Sequence, residues 1–600
     1  MVEYAPPVRD SRFVLEHVLK IGRLADLPGF AEATAGTVAA VLEEGGRFAA
    51  EVLFPLNRIG DRHGCVRHKD GSVATPPGFR NAYRRFVAAG WGTLSAPKAY
   101  GGLGLPHVVS TAAREYLVGA NMAFAMYPGL SRGAVAALLA KGTAAQRATY
   151  LPRLISGEWS GTMNLTEPHC GTDLSLIRTR ADPQADGSYR ITGTKIFVSA
   201  GEHDLTSNIV HLVLARIPGA PDGSRGLSLF VVPKFLPDDE GSAGARNAVF
   251  CGSIEEKMGI HGNATCAMHF DCATGSLVGE ANGGLPAMFV MMNAARLGVG
   301  LQGLGVAEAA YQNAVGHAGS RRQGRAPAGP AEPDEQADTL FVHADVRRML
   351  MEGKALTEGL RALCLWGALQ VDVEQVAATE EEREEAGDLL GLLTPVIKGY
   401  ATDMGLKVAI DAQQVHGGHG YIRDSGVEQY LRDVRITQIY EGANGVQAMD
   451  LVGRKLGRND GRAIRAFMRL VGDEIAAARG EAATADLAAR LEQALGDLRA
   501  ATDWLAANGG TDPDHAGAGA MSYLHLLGMV ATGLMWLRMA GVAGRLKVAG
   551  SDDPAFLDAK LVTARFFGER ILPDTTALRR KIEGGAAAIM ALPVEMFRPA

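Results

Sequence analysis

Glu441 lies in the segment RDVRITQIYEGAN (residues 432–444), after the apolar Ile439 and the half-polar Tyr440 and just before Gly442. An acid beside apolar groups is expected to carry a raised pKa, which suits a general base that takes and releases a proton near neutral pH. The same spacing also suits a plain turn, in which Glu441 caps the next helix and Gly442 and Asn444 complete it. The residues fit both readings. Upstream, QQVHGGHGYIRD (residues 413–424) carries Gly417, Gly418 and Gly420, where a backbone can approach a phosphate or ribose closely. It follows a predicted helix, so it is not the strand-first glycine fingerprint of a dinucleotide fold. His416 and His419 have no third ligand at metal spacing, so no metal is expected. A third segment, TMNLTEPHCGTDLSLI (residues 162–177), places Thr166, Pro168, Gly171 and Thr172 at a helix-to-strand junction. Hydroxyls and turn N–H groups there can meet the polar edge of a flat heterocycle, and an ordinary hydrogen-bonded turn fits equally well.

These segments need elements to hold them. Residues 1–160 read as helical, with apolar residues at three- and four-residue spacing over 30–52, 109–118 and 131–154, broken by Pro and Gly at 76–78 and 101–104. The texture then becomes alternating: strands are expected at 189–197 after the Asp186-Gly187 turn, and at 208–216, 226–233, 266–270 and 276–278. Short strands parted by turns predict a compact β-domain or barrel over 161–283. Long helical segments return over 284–460, at 294–316, 344–378 and 389–415, with exposed loops expected at 319–335 and at the acidic run 380–385. Residues 461–600 read as a further helical region, interrupted by a linker at 508–520. The predicted fold is mainly α with a central β-barrel domain and a C-terminal helical extension.

Composition narrows the function classes. A net charge of −6 and a balanced extension (16 Lys and Arg against 16 Asp and Glu over 461–600) argue against gripping a polyanion. The six cysteines are scattered, without a C-x-x-C pair, as expected of a reducing compartment. No basic stretch followed by an apolar core opens the chain, so a cytoplasmic location is the expectation. Residues 526–537 are apolar over about 12 positions against the ~20 needed to span a bilayer, so a buried bundle helix is expected there rather than membrane insertion.

Together the motifs resemble the acyl-CoA dehydrogenase family over residues 50–460. LTEPHCGTD is similar to that family's flavin-contacting loop, KIFVSAGEHD (195–204) to its flavin-packing strand, SRRQGR (320–325) to its R-x-Q segment, and QVHGGHGY and QIYEGAN to its adenine-side and catalytic-base loops. The opening YAPPVRDSRFVLEHVL, KMGIHGNATCAMHFD and the ending GGAAAIMALP resemble its long subgroup typified by 3-methylmercaptopropionyl-CoA dehydrogenases, some of which act on ordinary fatty acyl-CoAs. The resemblance implies FAD as cofactor and an acyl-CoA substrate, with the 284–460 region a four-helix bundle carrying the base. It implies that Glu441 takes the α-proton, that flavin N5 accepts the β-hydride, and that a trans-2-enoyl-CoA results.

By the same resemblance Leu165, Thr166, Thr172, Phe197 and Ser199 line the flavin. Arg321 and Gln323 of one subunit, with Gln414, Gly417 and Gly418 of a neighbour, hold the pyrophosphate and adenosine. Arg296 matches a position beside the CoA chain, and Tyr440 and Gly442 are expected as substrate contacts beside the base. Met291 and Met292 are near enough in sequence to line an acyl pocket, with Met292 expected as a substrate contact, although Met at helical spacing is more often core. Two departures stand out: Ala443 occupies a position where a hydroxyl is common, so that one flavin hydrogen bond is either missing or supplied by Asn444, and Phe197 stands where Trp is frequent. A homodimer and an electron-transfer flavoprotein as acceptor are implied partners. An acyl-CoA oxidase using O₂, and a flavin-bearing relative that binds DNA, are the alternatives. The intact Glu441 and the neutral extension weigh against the second.

Overall fold

The computed structural model describes residues 4–27, 29–238, 240–551 and 553–598. By contact the chain divides into two units, Glu44–Gly298, and Met1–Glu43 together with Val299–Ala600. The expected N-terminal segment 1–160 is therefore split, its first residues folding with the C-terminal unit. The cause is a buried ion cluster: Asp10 pairs with Arg361 and Lys560, Arg361 also reaches Glu308 (2.7 Å), and Lys560 reaches Glu358 (2.8 Å). Burial works to raise the Asp10 pKa, but the Lys560 and Arg361 charges outweigh it and bring the value down to about 2. Removing one member of such a cluster costs about 3–5 kcal/mol, because the others stay buried and unmatched.

In the Glu44–Gly298 unit, the helices α1 (His107–Ala120), α2 (Met122–Lys141) and α3 (Ala144–Ser156) precede a seven-stranded sheet. The strands are β1 (Trp159–Asn164), β2 (Arg180–Pro183), β3 (Tyr189–Ser199), β4 (Asn208–Arg216), β5 (Leu227–Pro233), β6 (Val249–Ile254) and β7 (Thr265–Val278). Pairing runs β7–β3–β2–β4, and β5 joins β4 to β7, which closes a five-strand ring; β6 adds to β7 and β1 to β4. The barrel expected from the sequence is present, with the two short stretches 266–270 and 276–278 merged into the single strand β7.

The parity of β4 explains why apolar residues fill both of its faces. Val210, Leu212 and Leu214 join a core with Leu138, Leu151 and Trp159 from the helical side, whereas Val213 and Ala215 join Phe230 and Val232 in a second core. A strand buried on both faces is apolar at successive positions, not at alternate ones, save where a polar side chain has a partner. His211 sits in this strand, bonded to Thr162 (2.9 Å), and burial drives its pKa down to about 3, so it stays neutral.

The other unit is helical: α4 (Gly284–Ser320, from Val299), α5 (Ala344–Val376), α6 (Glu380–Val415), α7 (Val427–Arg435), α8 (Asn444–Asp450), α9 (Arg462–Ala478), α10 (Ala485–Asn508), α11 (Pro513–Val548), α12 (Pro554–Arg570) and α13 (Asp574–Glu583). The acidic run at 380–385, expected as a loop, is the first turn of α6. Thr379 and Glu382 form a reciprocal capping box, and acids at a helix N-terminus meet its favourable dipole. The linker expected at 508–520 shrinks to a few residues, because Asp512 caps α11 and Pro513 starts it. The loop at 319–335 is not loose either. The buried Asp338 carboxylate accepts from the backbone N–H of Ala326, Ala331 and Glu332, and these bonds bring its pKa to about 2.

Three described helices are long and apolar enough to cross a membrane by length and composition alone: α2, α4 and α11. The apolar window of α11 is 94% buried inside the protein. Its glycines permit that packing: a Cβ at Gly528 would lie 2.4 Å from the Tyr400 ring, and one at Gly359 of α5 would lie 2.7 Å from Trp536 of α11. The C-terminal extension is thus packed into its unit along α5 and α6.

Candidate active site

Glu441 sits in a short segment between a 3-10 turn (Ile436–Gln438) and α8, with φ of +58°, followed by Gly442 at +78°. Two successive left-handed residues turn the chain sharply, and the first carries a side chain, which costs roughly 1–2 kcal/mol and must be held by its surroundings. The holding contacts are specific. Gln438, before the turn, donates to Asp403 Oδ1 (2.6 Å), and Asn444, after it, donates to the same oxygen (2.7 Å). Gln447 donates to the carbonyls of Gly442 (3.2 Å) and Glu441 (3.4 Å). Tyr440 hydrogen-bonds to Gln302 of α4, and burial together with the Glu441 charge keeps its hydroxyl protonated well above the ordinary phenol range. Glu441 and Gly442 are half-buried.

Asn444 does not do what the sequence implied. It is 6% exposed, its Oδ1 accepts from the buried Lys398 Nζ (2.7 Å), and its Nδ2 also reaches Thr402 Oγ1 (2.9 Å) and Gly399 O (3.1 Å). The amide is consumed by α6 and leaves nothing for a flavin, so it does not replace the hydroxyl missing at Ala443.

In the β unit, Phe197 stands out at the end of β3. Its ring is 60% exposed on a backbone at φ +56°, while its neighbours Lys195 and Val198 are buried. An uncovered aromatic ring beside the half-buried Leu165, Thr166 and Ser199 is a fitting surface for a flat heterocycle. The loop is drawn against β3 because Ile196 N–H donates to Thr166 O (2.9 Å) and Lys195 Nζ donates to Leu165 O (2.9 Å). Lys195 also binds Glu167 Oε1 (2.9 Å), and that carboxylate further accepts from Thr179 N–H, Thr179 Oγ1 and Arg178 N–H. Burial raises the Glu167 pKa, but Lys195 and these donors outweigh it and hold the group ionised. Thr172 is exposed. Glu167, His169 and Cys170 bring possible metal ligands within 4.8 Å, but any ion would have to displace the Lys195 cation from Glu167.

Arg321, Gln323, Gln414, Gly417 and Gly418 are all exposed. His317 of α4 stacks on His416 with 4.2 Å between ring centroids and feels the Arg321 charge, so one chain brings both stretches to the same end of the helical unit. The expected division of these stretches between subunits is not required by the fold. Gly417 has φ +58°, and the space where Cβ atoms of Gly417 and Gly418 would stand is open.

Of the expected substrate residues, Arg296 is buried at 5% exposure, close to Asn293 (3.3 Å) with its guanidinium over the Phe289 ring. Met292 and Met291 belong to the apolar core of the β unit, and Met291 fills the space beside Gly133. Met292 is therefore a core side chain here and not a pocket wall. Sequence reasoning missed Glu167, Lys195 and Asp403. The available signal was a charged residue at an inward position of an apolar strand or helix face.

Family models match nearly the whole chain: "Acyl-CoA dehydrogenase, N-terminal domain" over 39–158, "middle domain" over 162–273, "C-terminal domain" over 282–456, and "Acetyl-CoA dehydrogenase C-terminal like" over 463–593. The chain is 45% identical over 580 residues to the 3-methylmercaptopropionyl-CoA dehydrogenase of Ruegeria pomeroyi, covering 96% of this chain and 98% of that one. It is 35% identical over 613 residues to a broad-specificity linear acyl-CoA dehydrogenase of Mycobacterium tuberculosis, covering 100% of both. Among solved structures, an acyl-CoA dehydrogenase from Bacillus anthracis complexed with FAD superposes with a TM-score of 0.74 at 19% identity, covering 95% of this chain and 91% of that one.

Proposed function

This chain belongs to the acyl-CoA dehydrogenase family, and on that premise we propose that it oxidises a short thioether or straight-chain acyl-CoA to the trans-2-enoyl-CoA, with Glu441 as the base. The observation that carries this reading is the turn of residues 438–444, which fixes one acid in a left-handed conformation by hydrogen bonds on either side. A rigid seat is what a positioned base requires, since reach comes before pKa.

FAD, when bound, supplies the acceptor for the hydride that leaves the β-carbon. Phe197, Leu165, Thr166, Thr172 and Ser199 would hold its ring system, and Arg321, Gln323, Gln414, Gly417 and Gly418 its phosphates and adenosine. The chain's own work is on the proton. Glu441 takes it from the α-carbon, and the Glu441 backbone N–H donates to the thioester oxygen, where negative charge gathers as the C–H bond breaks. Tyr440 and Gly442 flank the reacting carbons, and the Arg296 guanidinium attracts the CoA moiety. We place the reaction in the cytoplasm, consistent with scattered cysteines without a C-x-x-C pair, and assign the electrons to an electron-transfer flavoprotein. A homodimer suits the exposed apolar pair Tyr421 (86%) and Ile422 (58%) beside the glycine loop.

The test is anaerobic titration of the flavin-loaded protein with 3-methylmercaptopropionyl-, butyryl-, octanoyl- and palmitoyl-CoA, followed by flavin absorbance. Bleaching by one of them identifies the acyl class. A flavin-loaded protein that bleaches with none contradicts the proposal.

A further inference from the structure

Asp403, in the middle of α6, is a junction. Its Oδ1 accepts from Gln438 (2.6 Å) and from Asn444 (2.7 Å), the residues that bracket the turn carrying Glu441. Its Oδ2 is bound by His525 Nε2 (2.7 Å), which comes from α11 in the C-terminal extension. The imidazole is in turn set by the Tyr400 ring, edge-on at 5.7 Å between centroids, and Tyr400 is itself packed against Gly528 one turn further along α11. On the other side, the Asn444 amide is pinned by Lys398, Thr402 and Gly399. No member of this chain of contacts is a surface ion pair: Asp403, Asn444, Tyr400 and Lys398 are largely or wholly buried, where hydrogen bonds to a charge are strongest.

We propose that Asp403 and His525 are positioning residues for the base: Asp403 fastens both ends of the segment that carries Glu441, and the C-terminal extension, through His525, fixes the rotamer of Asp403. This rests on the reading of Glu441 as the base. The physical need is plain. A left-handed Glu441–Gly442 pair relaxes unless its two ends are tied, and relaxation moves the carboxylate off the α-carbon. Asp403 ties both ends through a single oxygen, so its carboxylate must be held in plane, and only a donor on the other oxygen does that. His525 is that donor. The extension is thereby a working part of the base apparatus, in addition to its packing role.

The experiment uses the full-length holoenzyme and its best acyl-CoA, with three variants made in parallel: His525→Leu, His525→Gln and Glu441→Gln. The limiting rate of anaerobic flavin bleaching, the half-saturating acyl-CoA concentration and the FAD content are measured for each. His525→Leu is expected to lower the limiting rate roughly 10–100-fold, the usual effect of about 1 Å of misplacement, with FAD content unchanged. Half-saturation should move little, as for a residue that acts only on the transition state. His525→Gln keeps an amide donor for Asp403 and should recover most of the rate. Should His525→Leu lose its FAD, Asp403→Asn carries the same test, with the same expected loss of limiting rate. A wild-type limiting rate in His525→Leu, or a loss that His525→Gln shares in full, overturns the proposal. Glu441→Gln separates the two ideas. If it bleaches at the wild-type rate, the base assignment falls; if it is inert while His525→Leu is normal, only the positioning role falls.

Discussion

Two loops in this chain are each held by one buried carboxylate, and they are held differently. Glu167 sits inside the loop of 165–172 and collects its donors from nearby chain: Arg178 and Thr179, 11 and 12 residues on, and Lys195 on the adjoining strand. Asp403 sits outside the segment that carries Glu441 and collects donors from Gln438, Asn444 and His525, the last 122 residues away. The first arrangement makes a local, rigid platform that needs only its own β unit. The second ties the segment to a distant helix, so changes in the extension can reach Glu441 without touching it.

The comparison can be broken most forcefully at Lys195. Lys195→Met leaves the Glu167 carboxylate buried without its cation, and a loss of about 3–5 kcal/mol is expected, seen as a lower thermal midpoint and released FAD. Unchanged midpoint and FAD content would show that the platform does not depend on this pair. A smaller effect is expected at Gly442, whose φ of +78° suits no other residue well. Gly442→Ala should cost about 1–2 kcal/mol locally and slow flavin bleaching while FAD stays bound. Equal damage to FAD binding would mean that the two loops are not separable. Phe197→Ala should weaken FAD binding by about 0.5–1.5 kcal/mol, read by equilibrium dialysis, with no change in melting because the ring is exposed.

Acidification sharpens the comparison with the least effect near neutrality. Burial raises the pKa of both Glu167 and Asp403, but Lys195 at the first, and His525 with Gln438 and Asn444 at the second, bring both below their ordinary values. A carboxylate with a depressed folded pKa stabilises the fold fully above its unfolded value, about 3.9 for Asp and 4.3 for Glu, and loses that contribution as pH falls through the folded one. FAD retention should therefore be flat from pH 8 to about 5 and fall only below about 4. A decline already between pH 7 and 6 would point to another titrating group.

The sequence made the β platform more legible than the helical seat. Strand β4 was readable because burial on both faces fills it with apolar residues on either side of His211, and the loop between β1 and β2 carries its own Thr and Gly signals. The extent of α6 was misread, since an acidic run suggests a solvated loop until the Thr379 capping box is seen to start a helix. Glu441 was singled out by the resemblance of QIYEGAN to a family motif, because its neighbours in sequence fit a plain turn as well. Asn444 was misassigned because its partners, Lys398 and Asp403, lie more than forty residues away and only the fold turns its amide inward. Met292 went the same way: spacing on a helix does not tell a pocket wall from a core, and here the core wins.

The central claim is that Glu441 removes the α-proton, and Glu441→Gln tests it most directly. The variant keeps the size and hydrogen-bonding shape of the side chain but has no basic carboxylate. Mixed anaerobically with the best acyl-CoA, it should keep its FAD, still bind the thioester, and bleach at least about 10²–10⁴-fold more slowly than the parent protein. Bleaching at the parent rate would contradict the account and require another base.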